Sequence, residues 1–104
     1  MIRASYTAEG DIHTLSVHGH ARYAERGKDI VCAGVSSLVQ ALIGYAENHP
    51  HIIECISIGD GDVLISCSGG TETAAVFDMT AIGLEQISLS YPAHVQIDII
   101  GVAD

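Results

Sequence analysis

The sequence predicts a two-layer α+β domain, in which two helices cover one face of a five-stranded sheet in the order ββαββαβ. Three observations predict this class: two segments repeat apolar residues at helical spacing, five short segments are rich in β-branched residues, and turn signals separate the strands. Two helices on one face leave the other face of the sheet open or available for self-association. With 104 residues the chain has the size of one domain, and we expect a single domain over residues 1–104.

The first half of the chain contains two predicted strands and a predicted helix. Residues 2–8 and 11–18 have the composition of strands, and apolar and polar side chains alternate in the second of them. The letters AEGD between them supply a turn. From Asp29 onward apolar residues recur at helical spacing, and Asn48-His49-Pro50 ends this helix.

The second half begins with a predicted β-hairpin over residues 52–68. Its two β-branched runs flank Gly59-Asp60-Gly61-Asp62, which is a strong turn signal. The last strand is predicted over residues 94–102, where valine and isoleucine alternate with Gln96 and Asp98. These three strands complete the predicted sheet.

A second helix is predicted between these strands, from about Thr71 to about Leu89. Gly83 falls inside it, where glycine costs roughly 1 kcal/mol relative to alanine. We expect the apolar face of this helix to consist of Ala75, Val76, Met79, Ile82 and Leu89.

The charge of the chain argues against nucleic acid as a direct ligand. Thirteen acidic and four basic residues give a formal net charge of −9, and phosphates would be repelled by it. Such a charge suits a basic protein partner, because it steers the encounter. An acidic surface also keeps a small protein soluble, and charge alone favours this simpler explanation.

The three cysteines, Cys32, Cys55 and Cys67, are odd in number and never spaced C-x-x-C. This pattern indicates a reduced, cytoplasmic protein rather than a disulfide framework or a structural zinc site. The first letters, MIRASYTAEGDIHTL, lack the apolar core and cleavage site of a signal peptide. No run approaches 18 uncharged apolar residues, so we expect no membrane span. We also expect no cofactor and no bound metal.

Residues 19–36, GHARYAERGKDIVCAGVS, hold the candidate site. Asp29 is a good N-cap for the first helix, which places Cys32 in the first helical turn. The partial positive charge of a helix N-terminus favours a thiolate there. The ten residues from Gly19 to Lys28 let the chain double back, so that His20 faces Cys32 across a cleft. Gly19 leaves room directly before His20.

A cysteine and a histidine within hydrogen-bond reach are the minimal apparatus for nucleophilic catalysis. The histidine takes the thiol proton and later protonates the leaving group, while exposed N–H groups of the first helical turn stabilise the oxyanion. On spacing alone the simpler alternatives are favoured: a buried core residue for Cys32 and a surface residue for His20.

Gly19-His20-Ala21, followed by Val31-Cys32-Ala33-Gly34-Val35-Ser36, resembles the two signature motifs of the ribosomal-processing cysteine protease Prp family. The spacing of the motifs and the ββαββαβ order match as well, so the resemblance covers essentially the whole chain. It implies a bacterial cysteine protease that removes a short N-terminal extension from large-subunit ribosomal protein L twenty-seven. In this resemblance Cys32 is the nucleophile and His20 the general base and acid.

The resemblance implies three further properties. Members form homodimers, and a flexible loop, here residues 22–28, covers the cleft between the histidine and the cysteine. Their substrates carry aromatic residues just before the cut, which implies an apolar pocket beside Cys32. No third residue is implied as the one that orients His20.

Several neighbouring residues have two interpretations each. Asp29 either orients the His20 ring, as in a triad, or caps the helix, and we favour the cap. Ser36, one turn after Cys32, either lines the cleft or bonds to a backbone carbonyl. His18, His20 and Cys32 could together bind zinc, but this is the less favoured interpretation. A disulfide between Cys55 and Cys67 remains an alternative to two free thiols.

The leading hypothesis is a cysteine endopeptidase that acts on a basic ribosomal protein precursor. One alternative is a non-catalytic ribosome-assembly module that binds the basic protein, in which Cys32 is structural. The other is a thiol enzyme of redox or acyl-transfer chemistry, and a redox role requires Cys55 or Cys67 as a resolving thiol. The Cys32→Ala variant separates the first two, because only the protease needs the thiol.

Overall fold

The computed structural model describes residues 1–101 of the chain. The described elements follow the predicted order, and the last predicted strand extends to Val102, which lies outside the described residues. The elements are β1 (Ile2–Glu9), β2 (Ile12–His18), α1 (Ile30–Glu47), a short 3₁₀ turn (Pro50–Ile52), β3 (Ile53–Gly59), β4 (Asp62–Ser68), α2 (Thr71–Ser90) and β5 (Val95–Ile100).

The five strands form one mixed sheet in the order β3-β4-β2-β1-β5. Three neighbouring pairs are antiparallel, whereas β5 runs parallel to β1. A row of apolar residues crosses the sheet on the helix side, because Tyr6 pairs with Leu15, Leu15 with Ile65, and Ile65 with Ile56. The predicted α+β class, with two helices on one face, is confirmed.

The core lies between this face of the sheet and the two helices. Its buried strand residues alternate along β1, β2 and β4, as expected for a sheet covered on one side only. The opposite face is polar, and there the hydroxyls of Thr14 and Ser66 on neighbouring strands are 3.0 Å apart. The largest fully buried side chains are Tyr6, Phe77, Ile2, Leu15, Leu42, Ile65, Leu84, Val31, Val95 and Cys67.

Helix α1 is amphipathic and supplies much of the core. It begins after the Asp29 cap and ends at Glu47, where the Asn48 side-chain nitrogen donates to the Gly44 carbonyl. Its mean hydropathy of 1.5 over 18 residues meets the length and composition of a membrane span, although we expected no such segment. Core helices meet the same criterion. Its buried residues are Val31, Val35, Val39, Leu42, Ile43 and Ala46.

The predicted core face of α2 is wrong except at Val76, which is half-buried against the core. Met79, Ile82 and Leu89 are 69%, 54% and 71% exposed. The helix carries two apolar stripes, and the sequence pattern does not say which one meets the sheet. The stripe with the bulky Phe77 is buried, because the Phe77 ring stacks on the buried Tyr6 ring at 5.8 Å. The buried residues are Thr73, Phe77, Thr80, Ala81 and Leu84.

Gly83 lies where the two helices approach each other. A Cβ at this position would lie 2.9 Å from Cδ1 of Leu38 on α1, closer than real Cβ atoms come to other heavy atoms. The missing side chain thus lets Leu38 pack against the α2 backbone. This close approach accounts for a residue that is unfavourable for the helix itself.

We expect the buried Tyr6 hydroxyl to make the free energy of unfolding depend on pH in the alkaline range. Burial, and then the charge of Asp78, raise the pKa of Tyr6 from 10.0 to about 12. Its contribution to stability is therefore complete below pH 10 and is lost as the pH rises towards 12. Urea unfolding of wild type and Tyr6→Phe from neutral pH to pH 12 measures this. The free energy of unfolding should fall more steeply in wild type, and equal slopes would contradict the prediction.

Candidate active site

Cys32 is the third residue of α1 and is half-buried. It lines a cleft of about 840 Å³ that is bounded by α1, by residues 19–28 and by the turn between β3 and β4. Its backbone N–H donates to Oδ1 of Asp29 over 2.9 Å. The thiol therefore lies at a capped helix N-terminus, whose partial positive charge stabilises an anion.

Asp29 connects the start of α1 to the loop before it. Its Oδ1 caps Cys32, and its Oδ2 accepts N–H groups of Tyr23 at 2.9 Å and Ala24 at 3.2 Å. The hydrogen bond from the N–H of Cys32 lowers the pKa of this carboxyl most, and those from Ala24 and Tyr23 add to this effect. Desolvation acts in the opposite direction and raises the pKa. Both oxygens serve backbone groups, so the structure shows the cap that we favoured.

The backbone of Gly19, His20 and Ala21 is fixed at each residue by a different part of the fold. The N–H of Gly19 donates to the Gly61 carbonyl over 2.8 Å. The amino group of Met1 donates a hydrogen bond to the His20 carbonyl over 2.7 Å. The Nδ1 atom of His94 donates to the Ala21 carbonyl over 2.9 Å. The exposed His20 ring lines the cleft. A histidine on a loop thus has a fixed backbone.

Gly19 is required by this geometry. Its φ of +95° lies in the left-handed region that side chains disfavour. A Cβ at this position would also overlap the carbonyl oxygen of Met1. Glycine at this position therefore allows the backbone conformation that places the next residue, His20, in the wall of the cleft.

Cys32, His20 and Ser36 line the same cleft. Ser36 lies one turn after Cys32 on α1, so it lines the cleft, one of its two predicted roles. Among residues 1–101 no hydrogen bond joins the Cys32 thiol to the His20 ring. Catalytic pairs of free enzymes are often loose and tighten when substrate binds.

The first helical turn offers fewer free donors than the sequence indicates. The N–H of Cys32 binds Asp29, and the N–H of Ala33 donates to the Asp29 carbonyl over 3.0 Å. Neither group is free to bind an oxyanion. The contribution of this helix to such a charge is therefore its N-terminal dipole rather than these two donors.

The walls of the cleft differ in character. Along α1 and the β3–β4 hairpin the lining includes four apolar residues, Val39, Ile43, Ile58 and Val63, beside the polar Ser36, Gln40, Asp60 and Asp62. The loop of residues 22–28 contributes three of the chain's four Lys and Arg residues to the lining. An apolar pocket beside Cys32 is what the resemblance implies.

His18, Cys55 and Cys67 do not take part in this arrangement. His18 is engaged on both ring nitrogens, by Asp62 and by Ser16, each at 2.6 Å. No group of three metal-ligating side chains occurs within residues 1–101. Cys55 is exposed, Cys67 is buried, and both are free thiols, so the disulfide considered between them is absent.

The model of the family described as cysteine protease Prp matches residues 1–96. This chain belongs to the cysteine protease Prp family. It is accordingly a cysteine protease, and the chemistry of its family requires a thiol nucleophile. Within the cleft that the structure describes, Cys32 is the cysteine among the lining residues.

A relative within the Prp family agrees with this assignment, and two solved structures agree with the fold. The ribosomal processing cysteine protease Prp of Mycoplasma genitalium is 33% identical over 86 residues, which cover 81% of this chain and 85% of the relative. The essential ribosomal processing protease Prp of S. aureus was solved with a covalently linked product peptide. The match between the two structures covers 95% of this chain and 99% of the S. aureus chain, with a TM-score of 0.83 and 24% sequence identity. A second S. aureus structure holds a substrate peptide, with a TM-score of 0.76, 23% identity and the same coverage.

Sequence reasoning missed the residues that hold the first Prp motif in place. Gly61 lies 42 positions from Gly19, and His94 lies 73 positions from Ala21. Only the Gly59-Asp60-Gly61-Asp62 turn gave a signal, and that signal indicated a hairpin rather than a contact with His20. Such contacts follow from the sheet order, which the sequence does not state.

We expect Asp29→Ala and Asp29→Asn to separate the two roles of this carboxylate. The asparagine oxygen still caps Cys32, but its NH₂ group cannot accept from Tyr23 or Ala24. Asp29→Ala should therefore lower Tm more than Asp29→Asn, while both release the loop. Because hydrogen bonds lower its pKa below 3.8, the contribution of Asp29 is present above that value and is lost as the pH falls through the lowered one.

Thermal unfolding of the three proteins from neutral to acidic pH measures both effects. Wild type should lose stability more steeply in acid than Asp29→Asn, which has no group to titrate at this position. Identical melting temperatures for Asp29→Ala and wild type would contradict the cap.

Proposed function

We propose that this protein is the cytoplasmic endopeptidase that removes the N-terminal extension of bacterial large-subunit ribosomal protein L twenty-seven. Cys32 is its nucleophile and His20 its general base and acid. One observation carries the proposal: Cys32, at a capped helix N-terminus, shares a cleft with His20 in a chain of the Prp family. The names of the relatives, which state ribosomal processing, support the substrate class.

The mechanism needs four proton transfers by His20, which acts twice as a base and twice as an acid. Its ring takes the proton of the Cys32 thiol, and the thiolate adds to the carbonyl carbon of the scissile peptide bond. The tetrahedral oxyanion forms at the N-terminus of α1, where the helix dipole favours negative charge. Protonation of the amide nitrogen by His20 breaks the C–N bond and leaves a thioester on Cys32. Water, deprotonated by His20, then hydrolyses the thioester and restores the thiol.

The surface of the protein supports a basic precursor as substrate. The formal net charge is −9, and a basic chain is steered towards it. The apolar lining of the cleft, with Val39, Ile43, Ile58 and Val63, suits the aromatic residues that precede the cut in substrates of the family. The net charge thus acts on the approach of the substrate to the whole protein, whereas the cleft itself offers apolar residues and the basic side chains of residues 22–28.

The test uses the ribosomal protein precursor with its extension and, as a control, the mature protein without it. After incubation with the enzyme, mass spectrometry should show one cut in the precursor and none in the mature protein. Binding of the precursor without a cut would overturn the proposal in favour of an assembly module. Cleavage of both proteins at many sites would overturn the substrate assignment.

The proposal includes a homodimer, which the resemblance implies. Met79, Ile82 and Leu89 give α2 an exposed apolar stripe that a second copy would cover. Light scattering after size-exclusion chromatography should give twice the mass of the 104-residue chain. A mass of one chain at micromolar concentration would contradict the dimer without affecting the protease assignment.

A further inference from the structure

The turn between β3 and β4 lies directly against the ring of His20. A Cβ at Gly61 would lie 2.6 Å from Nε2, 2.9 Å from Cε1 and 3.2 Å from Cδ2 of this ring. Real Cβ atoms essentially never come within 3.0 Å of another heavy atom. The imidazole therefore occupies the space that any side chain at Gly61 would need.

The same turn is tied to the backbone beside His20. The Gly61 carbonyl accepts the N–H of Gly19, the residue directly before His20, over 2.8 Å. The φ of Gly61 is +66°, which side chains disfavour. One glycine thus fixes the backbone next to His20 with its carbonyl and borders the ring with its α-carbon.

We propose that Gly61 is a positioning residue for His20, whose bare α-carbon is the wall that holds the imidazole in the Cys32 cleft. A histidine side chain turns about two torsions, and hydrogen bonds to its backbone do not fix them. Within residues 1–101 no hydrogen bond holds the His20 ring, so its contact with Gly61 is what restricts the ring. The catalytic consequence rests on the Cys-His mechanism proposed above.

A side chain at Gly61 should displace the ring by about the size of the overlap. A misplacement of about 1 Å in a catalytic group costs about 100-fold in rate. We therefore expect Gly61→Ala to lower kcat by about 100-fold and to leave KM within a factor of about two, because Gly61→Ala alters a catalytic group rather than the apolar subsite.

Gly10→Ala is the matched control. Gly10 also lies in a two-residue hairpin turn and has a φ of +59°, but a Cβ there would meet no atom within 4 Å. It lies at the opposite end of β2 from His20. Both variants carry similar backbone strain, and only Gly61→Ala collides with the imidazole. Circular dichroism and Tm should therefore change alike in the two.

The experiment measures kcat and KM of wild type, Gly61→Ala, Gly10→Ala and His20→Ala on a synthetic peptide that spans the precursor's extension. In the His20→Ala background, where no imidazole is present, adding Gly61→Ala should lower Tm no more than adding Gly10→Ala does. The imidazole resonances of His20 in NMR spectra should shift in Gly61→Ala and stay unchanged in Gly10→Ala. This readout reports ring position independently of catalysis.

Equal losses of kcat in Gly61→Ala and Gly10→Ala, with His20→Ala inactive, would overturn the role of Gly61 and leave the Cys-His mechanism intact. Full activity of His20→Ala would instead overturn that mechanism, and the catalytic role of Gly61 with it. Unshifted His20 resonances in Gly61→Ala would show that the turn does not hold the ring.

Discussion

Replacing Cys32 with alanine is expected to lower kcat on the order of 10⁶-fold, the cost of removing a catalytic nucleophile. Alanine cannot form the thioester, yet it is a good helix former, so α1 and its Asp29 cap should persist. The variant should still bind the precursor. Mass spectrometry reads the cleavage, and isothermal titration of the uncut precursor into Cys32→Ala reads the binding.

Cys55→Ala is the matched control for this prediction. Cys55 is exposed on β3 and lies outside the cleft lining, so its loss should leave kcat unchanged. If Cys55→Ala were as inactive as Cys32→Ala, a two-thiol redox reaction would replace hydrolysis as the explanation. Cleavage by Cys32→Ala at the wild-type rate would end the nucleophile assignment.

Phe77→Ala is expected to destabilise the fold by about 3–5 kcal/mol, as large-to-small changes of buried aromatic residues do. The Phe77 side chain is 2% exposed. Its ring lies 5.8 Å from that of Tyr6 and 5.6 Å from that of His13, so its removal opens a cavity between α2 and the sheet. Urea unfolding at neutral pH gives the free energy.

Met79→Ala tests the same helix on its other stripe. Met79 is 69% exposed in the single chain. At protein concentrations low enough for light scattering to give the mass of one chain, Met79→Ala should therefore change the free energy of unfolding by less than about 0.5 kcal/mol. The pair thus decides which stripe of α2 is the core. Larger destabilisation of the single chain by Met79→Ala than by Phe77→Ala would show that the helix packs in the other orientation.

The order of the elements was predictable because its signals are local. Helical spacing, β-branched runs and turn residues act within a few positions of one another, and all seven predicted elements occur. The Asp29 cap was predictable for the same reason, since the bond from Cys32 to Asp29 spans three residues. The two motifs that carry the family resemblance are short segments as well.

The buried stripe of α2 was not predictable from its own residues. Met79 and Phe77 both lie in apolar stripes, and their fates depend on contacts with residues far along the chain. The stacking of Phe77 on Tyr6 joins α2 to β1. Burial of the larger aromatic surface favours that orientation, because hydrophobic free energy scales with the apolar area removed from water.

The sequence by itself determined the fold class, the helix that carries Cys32 and the two motifs of the Prp family. Only the tertiary structure decided that Cys32 and His20 line one cleft, and that Gly61 lies against the His20 ring. The physical reason is range: propensities and caps act between neighbours, whereas a cleft is formed by side chains that the sheet order and the packing of helices bring together.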